Sequence, residues 1–495
     1  MKTAAIIGSG VAGLATAIRL ALFKFDVTVF EANSSFGGKM TEFTLDGFRF
    51  DKGPSLFTMP HLVDDLFYLA GRKPQAYFKY QLLDVITNYY FADGTNFVAY
   101  HDHEKFEEEA EKTFGIPKKV VGKFFRRSAN LYEATSHTFL HKSLHKLSTY
   151  FSTDALKTIF SIWDLGLTRT MHQANVKDFG EPHFVQLLDR FATYNGSNPY
   201  QAPATLNIIP HLEHNMGAYY PEGGIYSIAK SLYKLAEELG VKFRFNEKVE
   251  QITVAEKSKK VTGLQTEKGT YAFDAVVSNM DIVPTYRKLL PALKAPEKIL
   301  KQPRSSSALI FYWGINRTFP DLHLHNIFFS QDYKQEFDHI FNLKTISPDP
   351  TVYVNITSKL TKTDAPENAE NWFVMVNVPH NQGQNWEKLK AETRQQVIEK
   401  LSARLQTDLN QHIVCEQTWD PVGIENETSS YGGALYGSSS NNMMAAFLRH
   451  PNFKRNLPGL YFSGGSVHPG GGIPLCLHSA RIVSEIIKHD FKRKH

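Results

Sequence analysis

Residues Gly8-Ser9-Gly10-Val11-Ala12-Gly13 have the spacing Gly-x-Gly-x-x-Gly and follow directly on a short apolar run, Lys2–Ile7. A helical apolar period continues to about Leu22, and a second strand-like run, Asp26–Phe30, ends in Glu31. This order of strand, glycine turn, helix, strand and acid constrains the fold more than any other feature of the chain. Gly8 permits the tight turn, Gly10 lets backbone approach a pyrophosphate, and Gly13 lets the helix pack close to the strand. The helix N-terminus offers free N–H groups and partial positive charge to phosphates. Glu31, 18 residues after Gly13, accepts hydrogen bonds from a ribose diol and repels a 2′-phosphate. In this context the motif predicts a bound dinucleotide. It does not separate FAD from NAD.

A chain of 495 residues exceeds one hydrophobic core, so two or three domains are expected. Aromatic residues make up 13% of it, with 36 Phe and 22 Tyr. Large cores account for that content, and so does a pocket or tunnel for an apolar ligand; composition leaves both open. Cys415 and Cys476 are the only cysteines. They allow no disulfide framework, CxxC pair or zinc pattern, which points to a reducing cytoplasm. The N-terminal apolar residues belong to the nucleotide-binding pattern, so no signal segment is expected. No run of 18 apolar residues predicts a membrane-crossing helix. A net charge of +5 is too mild to argue for nucleic acid, and no arginine-rich tract or aromatic RNA motif occurs.

Further along, Phe36-Gly37-Gly38-Lys39 precedes a hairpin-like pair, Thr41–Leu45 and Phe48–Phe50, turned at Asp46-Gly47. Gly53-Pro54-Ser55 breaks the pattern, and a helix is expected near Leu62–Ala70. From Lys105 to about Leu167 the sequence reads as helical and basic. Between Pro117 and Lys157, eight cations (Lys118, Lys119, Lys123, Arg126, Arg127, Lys142, Lys146, Lys157) stand against Glu133 and Asp154. A solvated helix face accounts for this surplus; so does docking on an anionic membrane surface. After Pro221-Glu222-Gly223-Gly224 comes a helix, Ile225–Leu239. Five short strands follow (Val241–Phe245, Val249–Val254, Val261–Thr266, Thr270–Phe273, Ala275–Ser278) and read as the β-meander half of a flavoprotein nucleotide domain. Residues 285–420 mix strands at Ala308–Ile315, Val352–Ile356 and Trp372–Val378 with a helix at Trp386–Leu405. The chain then runs through a strand, Gly459–Phe462, a glycine loop, Gly464–Gly472, and a helix to Ile487 with Pro474 near its first turn. Glycine loops at both ends imply a discontinuous nucleotide domain.

Taken together, these marks resemble the bacterial-type carotenoid desaturases, the phytoene desaturase family within the amine-oxidase-like FAD superfamily. Besides the N-terminal motif with Glu31, they are Gly37-Gly38-Lys39, Phe50-Asp51-Lys52-Gly53-Pro54-Ser55, Arg190–Tyr194 through Pro203–Leu206, Tyr220–Gly224 and Val277-Ser278-Asn279. The most distinctive is Gly465-Ser466-Val467-His468-Pro469-Gly470-Gly471-Gly472-Ile473-Pro474. Ser55–Pro60 resembles the branch that acts on hydroxylated acyclic carotenoids, the 1-hydroxycarotenoid 3,4-desaturases, rather than on phytoene. The resemblance implies FAD, with Gly8, Gly10, Ala12, Gly13, Gly38 and Ser466 among the cofactor contacts. It puts Glu31 on the adenosine ribose, Lys39 near the pyrophosphate, and Ser55 and Leu56 beside the flavin. Val249 is implied to meet the adenine through its backbone, with Asn279 close by, and Gly465, Gly472 and Ile473 to line the flavin. Lys39 stands where the family often has Arg, keeping the charge but losing bidentate geometry. Gly465-Ser466-Val467 stands where Ala-Gly-Thr is frequent.

The implied architecture is an α/β fold. A discontinuous Rossmann-like FAD-binding domain of the amine-oxidase/phytoene-desaturase type takes residues 1–75, 215–284 and 425–495. An inserted α+β substrate domain takes 76–104 and 285–424, and a helical, membrane-facing region takes 105–214.

A desaturase removes a hydride and a proton from neighbouring saturated carbons. Such C–H bonds are not acidic, so a side chain cannot start the reaction, whereas a flavin N5 accepts the hydride. The protein aligns the chain, excludes water and stabilises charge, and the N-terminus of the last helix is suited to stabilising a reduced flavin. No side chain is assigned as catalytic and none as a metal ligand. His468 reads as a loop histidine bonded to backbone, Asp51 as a structural carboxylate, and His101-Asp102-His103 as an exposed turn. His323 and His325 are expected on one side of a strand, with no carboxylate to complete a metal site. The expected partners are an apolar carotenoid, a membrane surface met by Pro117–Lys157, and O2 or quinone as electron acceptor. The expected location is cytoplasmic, peripheral on the inner face of the cell membrane. Phytoene desaturation, redox-neutral carotenoid isomerisation, amine oxidation and pigment carriage are the competing readings.

Overall fold

A computed structural model describes residues 1–139, 169–441 and 449–492. Its nucleotide-binding half is built on a five-stranded, wholly parallel sheet. The strand order is Lys242–Arg244, Phe25–Phe30, Lys2–Ile7, Ala275–Ser278, Leu460–Phe462. Parallel strands covered on both faces must be apolar nearly throughout, and these central runs are. Ala4, Ile6, Val27, Val29 and Val277 pack on one side against the helices Val11–Leu22, Tyr226–Glu238 and Ile473–Lys492. Ala5, Ile7, Phe30, Val276 and Phe462 point to the other side, where Val249, Ile252, Val261 and Leu264 cover them.

That second layer corrects the sequence reading. Only the middle three of the five expected meander strands, Val249–Val254, Val261–Thr266 and Gly269–Ala272, form an antiparallel sheet. Lys242–Arg244 and Ala275–Ser278 pair instead with Phe25–Phe30 and Lys2–Ile7 in the parallel sheet. Pairing partners more than 200 residues away leave no local mark.

The second half carries a seven-stranded sheet in the order Ile413–Trp419, Ser307–Ile315, Glu370–Val378, Val352–Asn355, His325–Phe328, Val85–Tyr90, Asn96–Tyr100. One face buries Leu309, Phe311, Trp313, Trp372, Val374 and Val376 under the helix Trp386–Leu405, through Val397, Ile398 and Leu401. On the opposite face Ile310, Met375, Tyr353 and Ile327 stand side by side in register across four strands. All nine residues of Ser307–Ile315 are buried because both faces are covered.

Four helices, His103–Phe114, Lys118–Phe139, Met171–Phe179 and Pro182–Asp189, close around Phe97, Phe106, Phe124, Phe125 and Phe184. Asp102 accepts from the Lys105 N–H at 2.9 Å and caps the first of them, and the His103 ring lies 3.2 Å from the His214 carbonyl. The segment expected as an exposed turn is therefore a helix start. Of the basic stretch, Lys118 pairs with Glu108 and Arg127 with Asp178; Lys142, Lys146, Asp154 and Lys157 lie outside the described residues. Among the described residues no helix is long and apolar enough to cross a membrane.

Candidate functional site

A cavity of about 950 Å³ starts at the carboxyl ends of the parallel strands and reaches the open face of the seven-stranded sheet. In open α/β sheets the strand ends are where ligands bind. Of the fifteen residues expected to meet a cofactor, fourteen line this cavity: Gly8, Gly10, Ala12, Glu31, Gly38, Lys39, Ser55, Leu56, Val249, Asn279, Gly465, Ser466, Gly472 and Ile473. Gly13 does not. A Cβ there would lie 2.2 Å from the Gly8 carbonyl oxygen, so its part is helix-to-strand packing.

At the narrow end, the Gly8 N–H donates to the Phe30 carbonyl at 2.8 Å, and Gly8 holds a left-handed φ of 95°. Gly10 caps the first helix without any side chain, leaving the first-turn amides uncapped where Val11 and Ala12 line the cavity. A second glycine turn lies against the first: a Cβ on Gly38 would come 3.2 Å from the Gly10 Cα. Asn279 wedges beside the first turn, next to Gly8, Gly10 and Gly13, its Nδ2 donating to the Ser463 carbonyl at 2.9 Å. The buried Glu31 carboxylate accepts from the Ser9 N–H (2.8 Å), the Ser9 hydroxyl (2.6 Å) and the Asn33 N–H (3.0 Å), with Val249 on the same cavity wall. Lys39 donates to the Leu435 carbonyl at 2.9 Å. Burial lowers the pKa of its ammonium, and Asp281 opposes that shift.

The C-terminal loop is held as firmly. Ser466 Oγ accepts from the Ile282 N–H at 2.9 Å. Buried Arg449 donates to the Tyr436 carbonyl at 2.7 Å and to Asn195 Oδ1 at 3.1 Å; desolvation lowers its pKa to about 10. His468 is buried in this loop and its N–H donates to the His450 carbonyl at 2.9 Å. Asp51 stays out of the cavity: it accepts from the Ile225 and Tyr226 N–H groups and pairs with Arg49 at 2.8 Å. These residues fit a flavin dinucleotide. Glycine backbone makes a cradle that Cβ atoms would fill, a fixed carboxylate stands at one end, a cation lies along the wall, and a second glycine loop begins the last helix.

The wide end is apolar. Leu131 and Tyr132 of the helix Lys118–Phe139, with Ile208, Ile209 and Leu212, face the sheet residues Ile310, Ile327 and Met375 across it. Polar side chains such as Thr205, Thr351 and Asn377 interrupt this lining, and two polar clusters stand out. Tyr353 Oη donates to Ser55 Oγ at 2.8 Å and lies 2.7 Å from His325 Nδ1. Burial drives the His325 pKa down to about 3, helped by the positive charge of Arg190, so the ring is neutral. Arg190 is buried, donates to Tyr89 at 2.7 Å and Tyr194 at 3.1 Å, and lies 3.6 Å from Glu213. Its neighbours Tyr194, Tyr89 and Glu213 outweigh the cost of desolvation and keep the guanidinium charged.

Two findings depart from the sequence reading. His323 precedes the strand His325–Phe328 instead of sharing it, and its N–H donates to Asn326 Oδ1. The polar pair and the Arg190 cluster had no assigned role. The four-residue spacing of Arg190 and Tyr194 was the one local sign of the cluster; Tyr353, Ser55 and His325 meet only through sheet pairing.

Comparison with known proteins agrees with this geometry. Residues 11–488 match the model of the flavin containing amine oxidoreductases. A 1-hydroxycarotenoid 3,4-desaturase of Flavobacterium sp. (strain P99-3) is 51% identical over 98% of this chain and 99% of its own. A 4,4'-diapolycopene oxygenase of Methylomonas sp. is 33% identical over 98% of each. Among solved structures, a putrescine oxidase redesigned in cofactor binding superposes with a TM-score of 0.64 at 14% identity, over 100% of this chain and 99% of that one. An oxidoreductase of Methanosarcina mazei gives 0.61 at 15%, over 98% and 100%. At such identities these two structures share the fold.

Proposed function

Because this chain belongs to the flavin containing amine oxidoreductase family, in its carotenoid desaturase branch, and is an FAD-dependent oxidoreductase, we propose that it is a 1-hydroxycarotenoid 3,4-desaturase. It would introduce a C=C bond into an acyclic hydroxylated carotenoid. The observation that carries this reading is the single cavity in which a dinucleotide cradle opens directly into an apolar chamber.

When bound, FAD supplies the hydride acceptor. The first-turn amides after Gly10, with Gly8 and Gly38, would hold its phosphates, Glu31 its ribose, Val249 its adenine, and Lys39 its pyrophosphate charge. Ser55, Leu56, Gly465, Ser466, Gly472 and Ile473 would border the ring. The row Ile310, Met375 and Ile327 aligns an extended hydrocarbon and excludes water from it. An amine substrate is disfavoured by this apolar wall. The substrate's insolubility and the cations of the helix Lys118–Phe139 support entry from an anionic membrane surface. The reading accordingly places the protein peripherally on the cytoplasmic face of the cell membrane, with O2 or a quinone taking the electrons.

The test is the FAD-loaded protein in liposomes with a hydroxylated acyclic carotenoid and an electron acceptor. Desaturation removes two hydrogens per step by mass and shifts pigment absorbance to the red. An unchanged mass with altered retention would make it an isomerase, and a gain of oxygen an oxygenase. No change in any acyclic carotenoid overturns the reading.

A further inference from the structure

Arg449 is a buried cation with no anion to meet it. It is 1% exposed, and its hydrogen bonds go to uncharged acceptors. Nη1 donates to the Tyr436 carbonyl at 2.7 Å and the Gly465 carbonyl at 3.3 Å, and Nη2 donates to Asn195 Oδ1 at 3.1 Å. Among the described residues no carboxylate lies within ion-pair distance of it, and with a pKa of about 10 it stays charged at neutral pH. A charge taken out of water without a partner is costly, and such groups concentrate where a protein uses them.

Its position shows where the charge is felt. The C-terminal glycine loop wraps the guanidinium: Gly465 bonds it at one end, and at the other a Cβ on Gly470 would come 3.2 Å from its Nε. Gly465, Gly471 and Tyr436 line the cavity, so one layer of backbone separates the charge from that space. The surroundings do not cancel it. Arg304 is buried and pairs with Asp281 at 3.2 Å, and Lys39 on the cavity wall meets the same Asp281 charge. Among the described residues, three cations in this cluster thus stand against one carboxylate. Burial pushes the Cys476 thiol up to about 11 against the pull of Lys39 and Arg449, so it stays neutral and offsets neither.

We infer that Arg449 is the counter-charge of the reduced cofactor: its field, acting through the loop backbone, makes the bound flavin a stronger oxidant. This rests on the reading above, which puts the ring against Gly465, Gly472 and Ile473. A hydride carries two electrons and one proton. Its transfer breaks a substrate C–H bond, forms an N–H bond on the ring and leaves the ring with one more negative charge. The proton of the neighbouring carbon departs separately and does not change that charge. A fixed cation in a site shielded from water favours the charged product over the neutral starting form. The N-terminus of the last helix acts in the same sense. The effect suits a hydrocarbon substrate, which has no lone pair to drive the electrons out, so the oxidant must draw them. Arg449 touches neither substrate nor ring; it is a positioning residue that acts by charge.

The experiment is a reductive titration of the FAD-loaded protein, without substrate, against a dye of known potential. Arg449→Met keeps the length of the side chain and removes its charge. It should weaken the preference for the reduced form about tenfold, which is about 30 mV in the midpoint potential of a two-electron couple. Arg449→Lys keeps the charge and should stay near wild type. A Met variant with wild-type flavin content and wild-type potential overturns the inference, and so does a Lys variant whose potential falls as far as that of Met. Should Arg449→Met fail to hold FAD, Asn195→Asp sets a carboxylate against the same guanidinium without a change of shape and should lower the potential likewise. An unchanged potential there overturns the inference equally. Because no substrate takes part, the two claims fail separately. An Arg449-dependent potential in a protein that alters no carotenoid removes the desaturase reading alone. Desaturation by a protein whose potential ignores Arg449 removes this inference alone.

Discussion

A side chain at Gly13 would place its Cβ 2.2 Å from the carbonyl oxygen of Gly8. Five residues apart in sequence, the two glycines hold the first helix against the turn that feeds it. The obstructing atom is backbone, so neither partner can turn aside. Gly13→Ala should therefore lower stability by about 1–3 kcal/mol and strip most flavin from the purified protein. Thermal unfolding and the flavin absorbance of the eluate measure both effects. A yellow variant with an unchanged melting temperature contradicts the packing argument.

Arg190 answers to a different force. It faces Glu213 at 3.6 Å inside the protein, with two tyrosine hydroxyls as its hydrogen-bond partners. Removing one member of a buried ion pair strands the other. Arg190→Ala should cost about 3–5 kcal/mol, whereas Arg190→Ala combined with Glu213→Gln should recover a good part of it. Denaturant melts of the single and double variants decide this.

His214 makes the fold acid-sensitive. Packed against Phe106 and Phe125, it is buried and both ring nitrogens lack hydrogen-bond partners among the described residues, with Nε2 3.9 Å from Glu213 Oε1. Burial lowers its pKa from 6.5 to about 3. Below pH 6.5 the unfolded chain binds a proton that the folded chain refuses, so stability falls as pH drops from 6.5 toward 3. Between pH 7.5 and 5.5 this one residue should account for about 1.4 kcal/mol of the loss. His214→Phe should reduce the difference between urea melts at those two pH values by that amount, and an unaltered difference would count against it.

The sheet row can be blocked without touching the nucleotide end. Ile327 stands beside Tyr353 in register and lines the chamber. Ile327→Trp should leave FAD content as in wild type and lower turnover of a bound carotenoid about a hundredfold, because a misplaced chain loses its alignment with the ring. Loss of flavin together with activity would mean that the two ends of the cavity are not separable.

Much of this architecture is written locally. The glycine turn, Glu31 and the helix Trp386–Leu405 follow from spacing and period, since each depends on residues within a few turns of one another. The loop Gly465–Gly472 and its helix are legible for the same reason. Val241–Phe245 and Ala275–Ser278 are legible as strands, yet their place in the parallel sheet is not, because their partners lie far away in sequence.

The sequence by itself determined that the chain binds a dinucleotide, because phosphate recognition by glycine backbone and a helix start is a contiguous motif. Tertiary structure alone decided what that dinucleotide faces. Ile310, Met375, Tyr353 and Ile327 become one surface only when four strands align, and His325 meets Tyr353 only then. Register across a sheet is set by burial of whole faces, a sum over distant residues that no single segment records.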